Sequence, residues 1–229
     1  MCGRYAFYSP AEAVIRLFDT SLTTPIEARY NIAPTQFVPV IRESTRASRQ
    51  LVMLYWGLVP AWAKEKAIGN RMINARSETL AEKPSFRRAF SQRRCLVLAS
   101  GFYEWRREDQ GKRPYFISRL DGEPFAMAGL WESWSKGGDV LDSCTIVTTA
   151  ANEFMRPLHH RMPAILPPAL CGPWLDVTGV DTREAEKLLQ SLEGGELQAW
   201  PVSTRVNNPA NQGPGLVEPE GTIGSPGLA

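Results

Sequence analysis

Short apolar runs, separated by glycine, proline and charged positions, make up most of the hydrophobic pattern of this chain. The runs lie at 51–59, 95–105, 115–120, 125–130, 144–149, 164–166 and 200–206. Because they are rich in branched and aromatic residues, we predict strands at these positions. Gly101 breaks the second run, and Asp121-Gly122 between the third and fourth predicts a β-hairpin.

Helical spacing is confined to a few short segments. An apolar stripe over 14–18 follows Ser9-Pro10, which predicts a helix with Ser9 as its cap. Asp181-Thr182-Arg183-Glu184 has the spacing of a capping box and predicts another helix, through Leu192. Residues 77–89 have helical character that is interrupted by a proline.

Many strands with interspersed short helices predict the α+β class. We expect a mainly antiparallel, partly barrel-like β core with short flanking helices, in which 25–41 is extended and 60–75 is a loop. Residues 1–219 should form one domain. Residues 220–229 are rich in Gly, Pro and Ser and should form a disordered tail.

Composition and charge exclude several classes of protein. Hydrophobic residues make up 43 % of the chain and charged residues 22 %, as in a globular protein. The net charge is 26 − 24 = +2, which argues against a histone-like protein or a polybasic membrane binder but leaves room for a local basic groove. No apolar stretch approaches the ~20 residues that a membrane span needs, and no signal peptide is recognisable.

Cysteine and histidine spacing gives no sign of a metal site. The four cysteines are scattered and the two histidines are adjacent, whereas zinc ligands cluster at characteristic spacings. Scattered cysteines are typical of reduced, cytoplasmic thiols. We therefore expect a cytoplasmic protein with no metal and no cofactor.

Cys2 is the first candidate for chemistry. If Met1 is removed, Cys2 carries both an α-amine, with a pKa near 7.7–8.0, and a thiol, with a pKa near 8.5. The amine can add to an aldehyde to form an imine, and the thiol can close on that imine to form a thiazolidine. The same groups could instead serve an N-terminal-nucleophile thiol peptidase or amidase, or the cysteine could stand at position 2 by chance.

Further candidates each have an ordinary structural interpretation beside the functional one. Glu104 ends an aromatic run, where burial would suit it to proton transfer, or it faces water at a strand end. His159 and His160 could move protons near neutral pH, or they form a surface pair. Since neighbouring side chains on a strand point to opposite faces, only one of the two would enter a site.

An amide, a guanidinium and two indole rings are further candidates for a functional role. Asn74 could orient a nucleophile and Arg76 could bind a phosphate, or both belong to a helix cap. Trp62 and Trp105 could stack on the bases of a single strand, or they belong to the core.

Taken together, a series of short motifs resembles the SRAP family, the SOS response-associated peptidase domain of abasic-site processing proteins. The motifs lie at 1–4, 29–35, 56–60, 73–79, 101–105, 128–131, 159–163 and 201–203. Each is weak alone, but their common order along most of the chain is specific. Position 160, the variable position of the His-x-Arg-Met-Pro motif, is a second histidine here and makes its register ambiguous.

The resemblance implies a single SRAP domain that binds single-stranded DNA and captures abasic sites as a covalent crosslink. It implies that Cys2 is the nucleophile, that Asn74 positions its amine, that Glu104 is the general acid/base and that His159 assists proton transfer and crosslink reversal. The implied DNA contacts are Arg4, Pro34, Trp62, Arg76 and Trp105.

The implied setting is a monomer in the bacterial cytoplasm that shields abasic sites at stalled replication as part of the DNA damage response. The imine could also undergo β-elimination, which would give weak lyase activity, and removal of Met1 could be autoproteolytic. The alternatives are a thiol peptidase or amidase and a non-covalent single-strand-binding module.

Overall fold

A computed structural model describes residues 2–21, 26–43, 48–109, 111–189 and 194–220. Its strands are β1 (Tyr5–Phe7), β2 (Arg29–Ile32), β3 (Phe37–Glu43), β4 (Arg49–Trp56), β5 (Asn74–Arg76), β6 (Arg94–Ala99), β7 (Gly101–Glu108), β8 (Gly111–Arg119), β9 (Phe125–Lys136), β10 (Asp139–Ala150), β11 (Arg161–Pro163), β12 (Ile165–Leu166) and β13 (Leu197–Pro201). The α-helices are α1 (Ala11–Phe18), α2 (Arg87–Gln92), α3 (Pro168–Leu175) and α4 (Thr182–Leu188). Short 3-10 helices cover Lys66–Arg71, Ser77–Thr79, Gly194–Glu196, Thr204–Asn207 and Pro214–Leu216.

Strands of the larger sheet close into a barrel. Around the ring, β10 pairs with β4, β4 with β3, β3 with β6, β6 with β9, and β9 returns to β10. These pairings are antiparallel except that of β4 with β10, which is parallel. β5 and β11 add to β10, and β12 adds to β9. The α+β class and the partly barrel-like, mainly antiparallel core are therefore confirmed.

The smaller sheet is antiparallel, with the order β13-β8-β7-β1-β2. The chain passes into it from the barrel between Ala99, where β6 ends, and Gly101, where β7 begins. A Cβ atom on Gly101 would lie 2.2 Å from Phe116 Cζ and 2.7 Å from the carbonyl oxygen of Ile117. The predicted break at Gly101 is confirmed, because only glycine allows so close an approach.

Apolar side chains fill both faces of the smaller sheet. One face joins the main core, in which Tyr5, Trp56 and Phe102 are fully buried. On the other face, Tyr103 and Phe116 pack with apolar residues of the C-terminal segment, which we define as residues 202–220. That segment therefore belongs to the folded core of the protein.

The β-hairpin predicted at Asp121-Gly122 is wrong. The tight turn itself is present, with the Gly122 N–H donating to the carbonyl oxygen of Arg119 at 3.2 Å. However, β8 pairs with β7 and β13 in the smaller sheet, whereas β9 lies in the barrel between β6 and β10. The first half of β9 is buried, so burial in the barrel core, and not the local turn, decides its partners.

Of the two predicted helix N-caps, one is wrong and the other is confirmed. The cap predicted at Ser9 is wrong, because Pro10 occupies the cap position and the Ser9 hydroxyl bonds the Ser100 hydroxyl at 2.7 Å. The capping box of Asp181 and Glu184 is confirmed. Its helix is described to Leu188, and the predicted end at Leu192 lies outside the described residues.

Several predicted boundaries also shift. The last strand ends at Pro201, where a proline interrupts the ladder, and the Ser203 side chain then accepts from the Arg205 N–H to start a 3-10 helix. The region 60–75, predicted as a loop, contains the helix Lys66–Arg71 and the start of β5. The predicted tail lies outside the described residues from position 221 onward. No helix in the described part of the chain is long and apolar enough to span a membrane.

Candidate active site

Cys2 lies where the smaller sheet meets the barrel. Its side chain is fully buried, and it lies three residues before the start of β1. In the pairing of β1 with β7, Tyr5 is opposite Phe102, and the Tyr103 N–H donates to the carbonyl oxygen of Arg4 at 2.9 Å. Because antiparallel partners run in opposite directions, continuing this register places Gly3 opposite Glu104 and Cys2 opposite Trp105, so Cys2 lies beside the part of β7 that carries Glu104.

Asn74 approaches Cys2 from the barrel side. It begins β5, which is parallel to β10 and places Asn74 beside Ile146. The Asn74 Nδ2 donates to the carbonyl oxygen of Cys2 at 2.8 Å. Its Oδ1 is buried and has no hydrogen-bond partner among the described residues, so one side of this amide fixes the Cys2 backbone and the other is available to a nearby donor.

Glu104 supplies the buried carboxyl group of the site. It lies in β7 and is only 4 % exposed. Burial raises the pKa of the Cys2 thiol well above its usual range, and the negative charge of Glu104 raises it further. The thiol is therefore protonated at neutral pH, and it can attack an electrophile only if a nearby base takes its proton.

His159 is half-buried just before β11. Its Nδ1 lies 2.9 Å from the Arg161 backbone nitrogen and 3.0 Å from the Arg161 carbonyl oxygen, so it accepts from the N–H or donates to the oxygen according to the tautomer of the ring. The prediction that His160 points the opposite way is wrong, because the two rings stack with centroids 4.3 Å apart. Alternation of side chains applies only within a strand, and β11 begins at Arg161.

Strand β10 pairs both with the strand that follows the histidine pair and with the strand that begins at Asn74. Electrostatic interaction with His159 is the main cause that lowers the pKa of His160, and the charge of Arg76 contributes as well. Arg76 is at the end of β5, where it pairs with Thr148 of β10, and Thr148 pairs in turn with Pro163 of β11. The predicted residues of the two motifs are therefore brought near each other by β10.

Sequence reasoning missed the ion pair that joins these motifs. The Arg161 guanidinium donates to both carboxylate oxygens of Glu78 and to the carbonyl oxygen of Thr148, the last at 2.6 Å. Its hydrogen bond lowers the pKa of Glu78. Arg161 thereby fixes β11, and with it His159, against the end of β5. The sequence signal for this contact is that one of the motifs contains an acidic residue and another a basic residue.

Three predicted DNA contacts are accessible. Trp62 is 60 % exposed, and Arg76 is exposed and makes no ion pair within the described ranges. Pro34 is half-buried in a turn, followed by Thr35 with a φ of 71°. These side chains can meet a ligand without rearrangement of the fold.

The other two predicted contacts, Arg4 and Trp105, hold the C-terminal segment. Arg4 donates to Asn31 Oδ1 at 2.8 Å and to the carbonyl oxygen of Val206 at 2.7 Å, and burial lowers its pKa. Trp105 Nε1 donates to Asn207 Oδ1 at 2.8 Å. The Arg4 guanidinium lies 5.9 Å from the Trp105 ring centroid, so both residues have structural partners, and their contact with DNA stays a prediction.

Metal ligation has no support in the part of the chain that the structure describes. No group of three or more His, Cys, Asp or Glu side chains there could hold a metal ion. The cysteines are all buried and unpaired as disulfides. The groups that this site offers for chemistry are the Cys2 thiol, a buried carboxyl group, an amide and an imidazole.

Comparison with known proteins supports the resemblance seen in the sequence. The model of the family "SOS response associated peptidase (SRAP)" matches residues 1–209. Abasic site processing protein YoqW of Bacillus subtilis is 41 % identical over 223 residues, which cover 95 % of this chain and 99 % of the relative. Abasic site processing protein YedK of Escherichia coli is 31 % identical, covering 96 % and 100 %, and HMCES of Gallus gallus is 36 % identical, covering 83 % and 66 %.

Solved structures give the same picture of the fold. A protein from Bacteroides thetaiotaomicron superposes with a TM-score of 0.85 at 26 % identity, covering 96 % of this chain and all of the other. A phage-related protein from Bordetella bronchiseptica superposes with a TM-score of 0.71 at 29 % identity, covering 88 % and 94 %.

Proposed function

The chain belongs to the SRAP family, and from that premise we propose that it captures abasic sites in single-stranded DNA as a covalent crosslink through Cys2. Its relatives are named for the processing of abasic sites. The observation that carries the proposal is the meeting of Cys2, Asn74 and Glu104 at the junction of barrel and smaller sheet. A buried aminothiol beside a carboxyl group suits capture of an aldehyde.

The order of bond formation follows from the pKa of the thiol. An abasic site is in equilibrium with an open-chain aldehyde. After removal of Met1, the Cys2 amine attacks the aldehyde carbon, and loss of water gives an imine. Because the thiol is protonated in its buried position, it attacks second. Its sulfur bonds to the imine carbon, its proton leaves and the imine nitrogen gains a proton, which gives a thiazolidine.

Each neighbour has a defined part in this sequence. Glu104 takes the thiol proton and helps to protonate the departing water and the sugar oxygen. Asn74 fixes the Cys2 carbonyl through Nδ2, and its buried Oδ1 is suited to accept from the Cys2 amine. The His159 ring donates a hydrogen bond to the sugar and assists reversal. Arg76 and Trp62 hold the flanking strand by phosphate contact and base stacking.

Weak lyase activity is a side reaction of the same intermediate. An imine acidifies the neighbouring carbon, so β-elimination of the 3′ phosphate would cleave the strand. Closure of the thiazolidine removes the imine and therefore protects the strand. We propose that the protein acts in this way as a monomer in the bacterial cytoplasm, at single-stranded DNA exposed during replication.

The test is formation of a heat- and detergent-stable adduct with a uracil oligonucleotide pre-treated with uracil glycosylase. The wild type and Cys171→Ala, a matched control at another buried thiol, should form the adduct. Cys2→Ala should lose it and keep single-strand binding, because its amine can form only a reversible imine.

The alternatives are separate outcomes of the same experiment. A stable adduct at wild-type yield from Cys2→Ala would sink the thiazolidine mechanism. Binding without any adduct would favour a non-covalent single-strand-binding module. Neither binding nor adduct would leave the thiol peptidase or amidase.

A further inference from the structure

Like charges face each other at the outer end of the β7–β8 hairpin. Arg106 is directly opposite Arg113, and Arg107 is directly opposite Lys112. Two like-charge pairs directly across an antiparallel ladder destabilise it. Such a pattern is tolerated more readily if an anionic ligand neutralises the charges.

Few acidic groups offset these cations. Arg106 donates to Glu108 at 2.6 Å, whereas Arg107, Lys112 and Arg113 make no ion pair within the described ranges. Segment 106–113 contains four cations and two acids, so its net charge is 4 − 2 = +2. This equals the net charge of the whole chain, 26 − 24 = +2, so the hairpin is one of its locally basic segments.

The two faces of the hairpin continue different parts of the molecule. Glu104 is opposite Tyr115, so Arg106 and Arg113 extend the face that carries Glu104. The Arg106 guanidinium lies 4.8 Å from the Tyr115 ring centroid. At about 3.3 Å per residue, Arg106 is about 7 Å along the strand from Glu104. The remaining cations, Arg107 and Lys112, lie on the opposite face.

We propose that Arg106 and Arg113 form an arm that binds backbone phosphates of the nucleic-acid strand next to the captured lesion. Guanidinium groups bind phosphate oxygens with two parallel hydrogen bonds, and Arg113 has no competing ion pair among the described residues. The aromatic ring of Tyr115 positions Arg106 on this face. The inference rests on the proposed function, because it is the proposed lesion site at Glu104 that makes this face the relevant one.

The experiment compares two double variants that each remove two positive charges from the same hairpin. R106Q/R113Q alters the face of Glu104, and R107Q/K112Q is the matched control on the other face. Both are made with Cys2→Ala, so that covalent capture does not enter, and affinity for a single-stranded abasic oligonucleotide is measured by fluorescence anisotropy over a series of salt concentrations.

R106Q/R113Q should weaken binding at least tenfold in about 50 mM salt and flatten the plot of log affinity against log salt by about 0.7 for each lost phosphate contact. R107Q/K112Q should lose less than threefold. Equal losses, or no loss from either variant, would overturn the arm. The midpoint temperature of thermal unfolding should be the same as in the parent or higher, because the substitutions remove repulsion between like charges. That result would exclude a folding defect in R106Q/R113Q.

The same proteins with Cys2 restored separate this inference from the proposed function. If the crosslink forms and the two double variants bind with the same affinity, the proposed arm is wrong and covalent capture stands. Absence of the crosslink, with the difference in affinity between the faces retained, would remove covalent capture and leave the arm as a nucleic-acid site.

Discussion

Cys2 and Glu104 influence each other at the scale of single residues, and this coupling gives a prediction with a sign. The negative charge of Glu104 adds to burial in raising the pKa of the Cys2 thiol. Glu104→Gln removes that charge, so the pKa should fall and the thiolate fraction at a fixed pH should rise. The substitution also removes the proton-transfer group, so crosslinking should slow by roughly 10²–10⁴-fold.

Two rates measured on the same variant test this coupling. Alkylation of Cys2 as a function of pH should show a lower midpoint and a faster rate at neutral pH in Glu104→Gln, while crosslinking becomes slower. Glu12→Gln, at an exposed carboxylate of α1, is the control and should change neither by more than a few-fold. Slowing of both reactions together in Glu104→Gln would contradict the electrostatic account.

The sequence is most informative about residues whose chemistry is rare. Cys2, Asn74 and Glu104 stand in three motifs, and the structure brings them together. The relative orientation of the two histidines could not be predicted, because it depends on where β11 begins. The ion pair of Arg161 with Glu78 could not be predicted either. The two residues are 83 positions apart, and they are brought together because β5 and β11 both pair with β10.

At the scale of elements, Asn31 fixes the C-terminal segment to the smaller sheet. Its buried amide donates to the carbonyl oxygens of Val206, Asn208 and Asn211. Asn31→Ala should lower the free energy of unfolding by about 2–3 kcal/mol, because buried acceptors lose their donor. Amide hydrogen exchange within 202–220 should become faster, since that segment loses its anchor.

Asn70→Ala is the matched control for this substitution. Asn70 is exposed and accepts only a long hydrogen bond of 3.3 Å from the Tyr55 hydroxyl, so its loss should stay within about 0.5 kcal/mol. Urea unfolding and hydrogen exchange measure both effects. Unchanged exchange in 202–220 for Asn31→Ala would show that other contacts hold the segment.

Short sequence motifs predict individual elements well, but they do not predict which strands pair with each other. The capping box at Asp181 is confirmed because all its hydrogen bonds lie within four residues. The turn at Asp121-Gly122 forms as its dipeptide indicates, yet the flanking strands enter different sheets. Strand partners depend on burial in the complete core, which no short window of sequence contains.

At the scale of the whole molecule, the site exists only because two sheets meet. Cys2 and Glu104 are positioned by the smaller sheet and Asn74 by a strand attached to the barrel. The apolar runs predict the class and a partly closed sheet. The parallel pairing of β10 with β4 and β5 joins segments far apart in sequence, so closure of the barrel could not be predicted from the runs.

The most direct measurement of the central claim is the mass and attachment point of the adduct with an abasic oligonucleotide. Intact mass should equal the chain without Met1 plus the oligonucleotide minus one water, because aldehyde and aminothiol condense with loss of a single water. After proteolysis, the DNA remnant should lie on the peptide that begins with Cys2. An adduct that retains Met1, or one attached through a lysine, would contradict capture by the Cys2 aminothiol.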